Sequence, residues 1–81
     1  MKVRVQLYAQ LRELVGIHEL EFELPQGATV RELLEKIYAQ KPALRAHDNT
    51  ILVGAGLEFV ARNYKLNPGE EIAIMPPVQG G

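Results

Sequence analysis

Residues 29–40 read Thr-Val-Arg-Glu-Leu-Leu-Glu-Lys-Ile-Tyr-Ala-Gln, and no other part of the chain constrains the architecture as strongly. Thr29 and Glu32 match a capping box, in which the hydroxyl and the carboxylate bond each other's backbone N–H groups. Pro42 follows closely and ends the helix, because a residue before proline is disfavoured in the helical conformation. The apolar residues at offsets of three and four predict one buried face: Val30, Leu33, Leu34, Ile37 and Tyr38.

Two alternating segments precede this helix. Residues 2–8 and 19–24 each place apolar and polar side chains on opposite faces, which predicts two half-buried strands. Between them, residues 9–15 predict a short helical turn that Gly16 ends. We expect this turn to bury one side, formed by Leu11, Leu14 and Val15.

Three shorter strands are predicted after the helix. A loop over residues 43–50 leads to strands at 51–53 and 57–60, with Gly54-Ala55-Gly56 as the turn between them. The last strand runs from Glu71 to Met75. It ends there because Pro76 and Pro77 cannot donate backbone hydrogen bonds.

The order of strand, strand, helix, strand, strand, strand predicts the α+β class. One helix packed on one face of a mixed five-stranded sheet buries all these apolar stripes. This arrangement is the β-grasp, or ubiquitin-like, fold. We expect a domain over residues 1–75 and an extended tail over residues 76–81.

The composition excludes several classes of function. Nine basic and ten acidic residues nearly cancel, so a nucleic-acid partner is not expected. No apolar run reaches the roughly 18 residues that cross a membrane, and we expect a cytoplasmic protein. The chain has no cysteine and no serine, and its histidines, His18 and His47, lack metal-ligand spacing. We therefore expect no metal site, no permanent cofactor and no enzyme activity of the chain alone.

The tail Pro76-Pro77-Val78-Gln79-Gly80-Gly81 has properties suited to delivery. Two prolines favour an extended geometry, which lowers the entropy lost when a partner grips the segment. Glycines have no Cβ and can enter a narrow channel. Transfer of AMP from ATP to the terminal carboxylate would give a mixed anhydride, which a sulfur nucleophile converts to a thiocarboxylate. A frayed terminus is the plain alternative.

Two segments carry a family resemblance: residues 8–16, Tyr-Ala-Gln-Leu-Arg-Glu-Leu-Val-Gly, and residues 66–81, which end in Pro-Pro-Val-Gln-Gly-Gly. Through them the chain resembles the small, sulfur carrier subunits of molybdopterin synthase over essentially its whole length. One departure is Gly56, where the family often has asparagine in the turn before strand four. Glycine tolerates the same turn, but any contact of that side chain is lost.

The resemblance implies a sequence of events at Gly81. An adenylyltransferase resembling the ubiquitin-activating enzymes would adenylate it with ATP, and a sulfur donor protein would then produce the thiocarboxylate. The tail would insert into the large subunit of molybdopterin synthase, in a heterotetramer of two carriers and two large subunits. There the sulfur would pass to precursor Z, cyclic pyranopterin monophosphate, to form the dithiolene of molybdopterin.

A docking face is predicted beside the tail. Tyr8 and Met75 alternate away from the core, and Phe59 joins them if its strand has the matching register. Burial of Met75 or Phe59 in the core is the alternative. The resemblance adds Arg12 as a candidate for an interface ion pair, against a simply solvated side chain.

Three other functions share these features. A sulfur carrier for thiamine thiazole synthesis or tRNA thiolation would have the same fold and the same Gly-Gly end. A protein modifier would be conjugated through Gly81 to lysines. An interaction module would have no activated terminus. The sequence leaves open the sulfur donor and whether several pathways use the chain.

Overall fold

The computed structural model describes residues 1–77, which form a five-stranded sheet and three helical segments. The strands are β1 (Lys2–Leu7), β2 (Glu19–Glu23), β3 (Leu52–Ala55), β4 (Glu58–Phe59) and β5 (Glu71–Met75). The helices are α1 (Ala9–Val15), α2 (Val30–Gln40) and a 3-10 helix (Pro42–His47). None of the helices within residues 1–77 is long and apolar enough to span a bilayer.

The sheet has the order β2-β1-β5-β3-β4. β5 lies at its centre, parallel to β1 and antiparallel to β3, while the two outer pairs are antiparallel. α2 contributes its apolar face to the core on one side of the sheet. The predicted mixed five-stranded sheet with one main helix is therefore confirmed, and the tail begins where the central strand ends.

The start of α2 is as the sequence predicts. The backbone N–H of Glu32 donates to Thr29 Oγ1 at 3.4 Å, and the backbone N–H of Thr29 donates to Glu32 Oε1 at 3.1 Å. Both halves of the capping box are thus formed. All five predicted core residues of this helix are buried: Val30, Leu33, Leu34, Ile37 and Tyr38.

The predicted loop over residues 43–50 is wrong, because Pro42–His47 forms a 3-10 helix. Proline suits its first turn, and the Leu44 N–H donates to the Lys41 carbonyl at 3.0 Å, three residues back. Leu44 is fully buried. A single inward leucine in six residues has no periodicity, so the sequence pattern did not reveal this element.

The hairpin after it is displaced from its predicted position. Gly54 and Ala55 belong to β3, where they pair with Phe59 and Glu58 of β4. The turn lies at Gly56 and Leu57, with Gly56 at a φ of 65°. A left-handed φ suits glycine, so the turn tolerates the departure from asparagine. β2 also ends at Glu23, one residue before the predicted end.

A polar clamp joins α2 to the chain beyond the 3-10 helix, and we define it as Tyr38, Asp48 and Arg62. The Tyr38 hydroxyl donates to Asp48 Oδ1 at 2.6 Å. Arg62 Nη2 donates to the carbonyls of Asp48 and Ile51 at 2.8 and 3.0 Å. The bond from Tyr38 is the main cause that lowers the pKa of Asp48, and burial is the main cause that raises the pKa of Tyr38. Among the described residues, no buried side-chain nitrogen or oxygen of the clamp lacks a hydrogen-bond partner.

Candidate functional site

The tail leaves the molecule from the middle of one end of the sheet. Met75, the last residue of β5, pairs with Leu52 of β3. On the other side of β5, the backbone N–H of Tyr8 donates to the Ile74 carbonyl at 3.1 Å. Pro76 and Pro77 follow without backbone N–H groups, so the ladder cannot continue through them. Neighbouring strands therefore hold the root of the tail on both sides.

Only the first part of the predicted tail is described by the structure. Pro76 is half-buried and Pro77 is exposed. The other predicted tail residues, Val78, Gln79, Gly80 and the reactive Gly81, lie outside the described residues. Their roles stay predictions from the sequence.

The predicted docking residues of the sheet lie on its solvent face. Phe59 is opposite Gly54, and Gly54 is opposite Ala73, so these three positions share one face. Met75 alternates with Ala73 onto the same face. Tyr8 is 47% exposed and Phe59 is 63% exposed, so neither completes the core.

Met75 is half-buried for a local reason. A Cβ placed on Gly54 would lie 3.7 Å from Met75 Cε, so the methionine side chain extends over β3 at this glycine. Met75 thus covers the solvent face of the sheet and does not belong to the core cluster. A flexible thioether in this place can adapt its shape to a partner.

Leu57 is a docking candidate that the sequence analysis missed. It lies at the β3–β4 turn and is fully exposed. Its position directly after a turn glycine was the available signal, because a leucine there has no strand neighbour to cover it. Leu57 is nevertheless at the end of the sheet away from the tail, because Ala55 before its turn pairs with Ile72 and not with Met75. We therefore define the apolar patch as Tyr8, Phe59 and Met75.

The other half of the solvent face is polar. Lys2 pairs with Glu21 at 3.7 Å, and Arg4 pairs with Glu71 at 3.6 Å. These groups are exposed, and such pairs contribute little to stability. The face is therefore divided into a charged half around β1 and β2 and an apolar half near the tail, which favours the apolar half for docking a partner.

Arg12 lies one helical turn beyond Tyr8 on α1. Its backbone N–H donates to the Tyr8 carbonyl at 3.4 Å. The side chain is exposed and has no ion pair among the groups of residues 1–77. The structure thus places Arg12 near the apolar patch with its guanidinium in solvent, and a partner contact stays a prediction.

A groove lies on the α1 side of the tail root. Its volume is about 410 Å³. Leu14 was predicted to be buried, but it is 47% exposed and lines this groove, because the seven-residue α1 directs only Leu11 fully into the core. The lining residues are Ala9, Gln10, Leu11, Leu14, His47, Thr50, Ile51, Pro76 and Pro77.

Within residues 1–77 no group of three or more histidine or acidic side chains could hold a metal ion. His18 and His47 are both exposed and are far apart in the sequence. The structure places the start of the tail, at Pro76 and Pro77, between an apolar patch and a groove.

The chain is similar to known proteins both in sequence and in structure. The model of the ThiS family matches residues 5–81. The molybdopterin synthase sulfur carrier subunit of Chlamydomonas reinhardtii is 39% identical over 83 aligned residues, which cover all of both chains. The crystal structure of SAMP1 from Haloferax volcanii superposes with a TM-score of 0.87, at 28% identity and full coverage of both chains. A ubiquitin of Caldiarchaeum subterraneum, 19% identical with a TM-score of 0.69 over 100% of this chain and 98% of that one, confirms the ubiquitin-like fold.

Proposed function

Because the chain belongs to the ThiS family, we propose that it is the sulfur carrier subunit of a molybdopterin synthase. The observation that carries this proposal is the full-length likeness to a sulfur carrier subunit of that synthase. The exposed apolar patch beside the tail root supports it, because a carrier must dock on other proteins.

The proposed chemistry takes place at the carbonyl carbon of Gly81. The carboxylate attacks the α-phosphorus of ATP on an activating enzyme, which releases pyrophosphate and leaves an acyl adenylate. Sulfide (HS⁻) delivered by a donor protein then attacks the carbonyl carbon and displaces AMP, and the product is a thiocarboxylate. In the synthase this sulfur attacks a carbon of precursor Z and displaces an oxygen substituent from it. Water then hydrolyses the resulting thioester, which leaves the sulfur on the pterin as a thiol and returns the carboxylate of Gly81. Two rounds supply the two sulfurs of a dithiolene.

The chain's own contribution is positional. Pro76 and Pro77 restrict the direction in which the tail leaves β5, and the apolar patch holds the partner beside it. Acid and base groups for the reaction belong to the large subunit, and two large subunits form a heterotetramer with two carriers. ATP is consumed by the activating enzyme, so the carrier needs no resident cofactor.

A second function has its own support. The likeness to SAMP1, whose relative of the same name in Methanosarcina acetivorans is described as a small archaeal modifier protein, favours conjugation through Gly81 to lysines of other proteins. Sulfur carriers for thiamine or tRNA thiolation are a third possibility within the same chemistry. All three require activation of the carboxyl end.

Two measurements test these functions. Intact-mass analysis of the chain from its own cells should show an oxygen-to-sulfur exchange at Gly81, whereas lysine adducts on other proteins would indicate a modifier. The thiocarboxylated chain should then yield a dithiolene product with a molybdopterin synthase large subunit and precursor Z. Absence of that product with active large subunit would overturn the leading proposal.

A further inference from the structure

The groove beside α1 has no role in the function proposed so far. Leu11 and Ile51 are buried at its apolar base, and Leu14 and Pro77 are exposed at its edge. Further polar side chains lie around it: Gln10, His47 and Thr50. An apolar centre with a polar rim is the anatomy of a protein–protein contact.

The short tail brings any partner against this groove. Four residues follow Pro77, and even fully extended they span at most about 14 Å. A partner that encloses Gly81 in its active site must therefore contact the surface around Pro76 and Pro77. The apolar patch lies on the sheet side of this root and the groove lies on the α1 side.

The interface area expected of a stable complex favours contact on both sides of the tail root. A standard interface covers about 800 Å² of each partner, which is about a sixth of the 5007 Å² that this chain exposes. An area of that size centred on the tail root extends past the patch onto α1. A transient activating enzyme needs less surface, whereas a permanent subunit needs this much.

We propose that the groove receives an apolar side chain of the synthase large subunit, as a second anchor opposite the apolar patch. The inference rests on the proposed function, since it concerns the same complex. A side chain seated here would contact Leu14 and Pro77 together, and so would fix the direction of the tail as well as add affinity.

The test compares Leu14→Ser with Glu13→Gln, a neighbouring exposed position on α1 that does not line the groove. Affinity for the large subunit is measured by titration calorimetry, and folding by thermal unfolding. We expect Leu14→Ser to weaken binding about tenfold, as for an anchoring interface residue. The control should bind like the wild type, and both variants should keep the wild-type melting temperature.

A second variant keeps the test independent of Leu14. Thr50→Tyr should fill the groove from its exposed rim and weaken binding by a similar factor. Wild-type affinity in both variants, with Phe59→Ser impaired, would overturn the inference and leave the proposed function intact. The inference would also be overturned if both variants lost adenylation by the activating enzyme but bound the synthase large subunit with wild-type affinity. A wild-type chain that does not bind the large subunit would refute the proposed function itself.

Discussion

The polar clamp and the tail root are opposite in character. In the clamp, Tyr38 is buried, its hydroxyl is bonded to Asp48, and Arg62 satisfies two backbone carbonyls. Near the tail root, on the solvent face of the sheet, Tyr8 and Phe59 are exposed apolar side chains. One region satisfies its groups within the chain, and the other leaves apolar surface for another molecule.

This difference separates stability from function within a small domain. The hydrogen bonds of the clamp stabilise the fold, because they are partly buried and join segments of the same chain. Exposed apolar residues contribute little to the fold, so their substitution is expected to affect association. If stability and function are separated in this way, substitutions in the two regions should change different measured quantities.

Deletion of Gly81 has the largest expected effect. It removes the proposed reacting carbonyl carbon and shortens the reach of the tail, so we expect sulfur transfer to be abolished. Thermal unfolding should not change, because a chain end contributes few buried contacts. Transfer is measured with the synthase large subunit and precursor Z. A large fall in melting temperature would show that the tail is part of the folded domain.

Phe59→Ser should weaken binding to the large subunit by about 30-fold, the effect of losing an aromatic anchor. Phe59 is 63% exposed, so unfolding free energy should stay within about 0.5 kcal/mol of the wild type. Titration calorimetry and urea unfolding give the two quantities. Glu58→Gln, on the same strand, is the control and should change neither. Equal losses of affinity and stability would place Phe59 in the core.

Tyr38→Phe tests the clamp in the opposite direction. It removes the donor to Asp48 and leaves the partly buried carboxylate short of a partner, which should cost about 1–2 kcal/mol of unfolding free energy. Sulfur transfer at a temperature where the variant stays folded should equal that of the wild type. Impaired transfer with full folding would mean that the clamp influences the tail.

The decrease of unfolding free energy at acidic pH should depend on the same hydrogen bond between Tyr38 and Asp48. Bonding to Tyr38 lowers the pKa of Asp48 in the fold below its ordinary value of 3.8. Its contribution is therefore complete above pH 3.8 and is lost as the pH falls through the folded pKa. Urea unfolding of wild type and Asp48→Asn should show a difference that shrinks as the pH falls from 3.8 through the folded pKa of Asp48. A constant difference would exclude the carboxylate charge as its source.

The sequence was sufficient where a local rule agreed with tertiary packing. The capping box and the apolar stripe placed α2 correctly, and strict alternation placed β1 and β5. Tyr8 and Phe59 are exposed, as the docking hypothesis requires. Thus long periodic segments predicted the main helix and the main strands, and alternation along β1 also predicted the exposure of Tyr8.

The remainder depends on packing that short segments do not encode. Leu14 has the spacing of a core residue, but α1 is too short to bury every apolar side chain. The 3-10 helix carries one buried leucine and no repeat. The groove is formed by α1, the chain around Thr50 and the two prolines, so only the tertiary arrangement reveals it.

Substitution of Ala9 has the smallest expected effect. The backbone at Ala9, close to the tail root, has a strained conformation. Its φ is 52°, and a residue with a Cβ loses about 1–2 kcal/mol in this left-handed region. Glycine avoids that loss but adds unfolded-state entropy, so Ala9→Gly should raise unfolding free energy by about 0.5 kcal/mol. Ala39→Gly, at an exposed position in α2, should lower it by up to about 1 kcal/mol. Urea unfolding measures both changes, and equal losses would show that the backbone at the tail root is no more strained than α2.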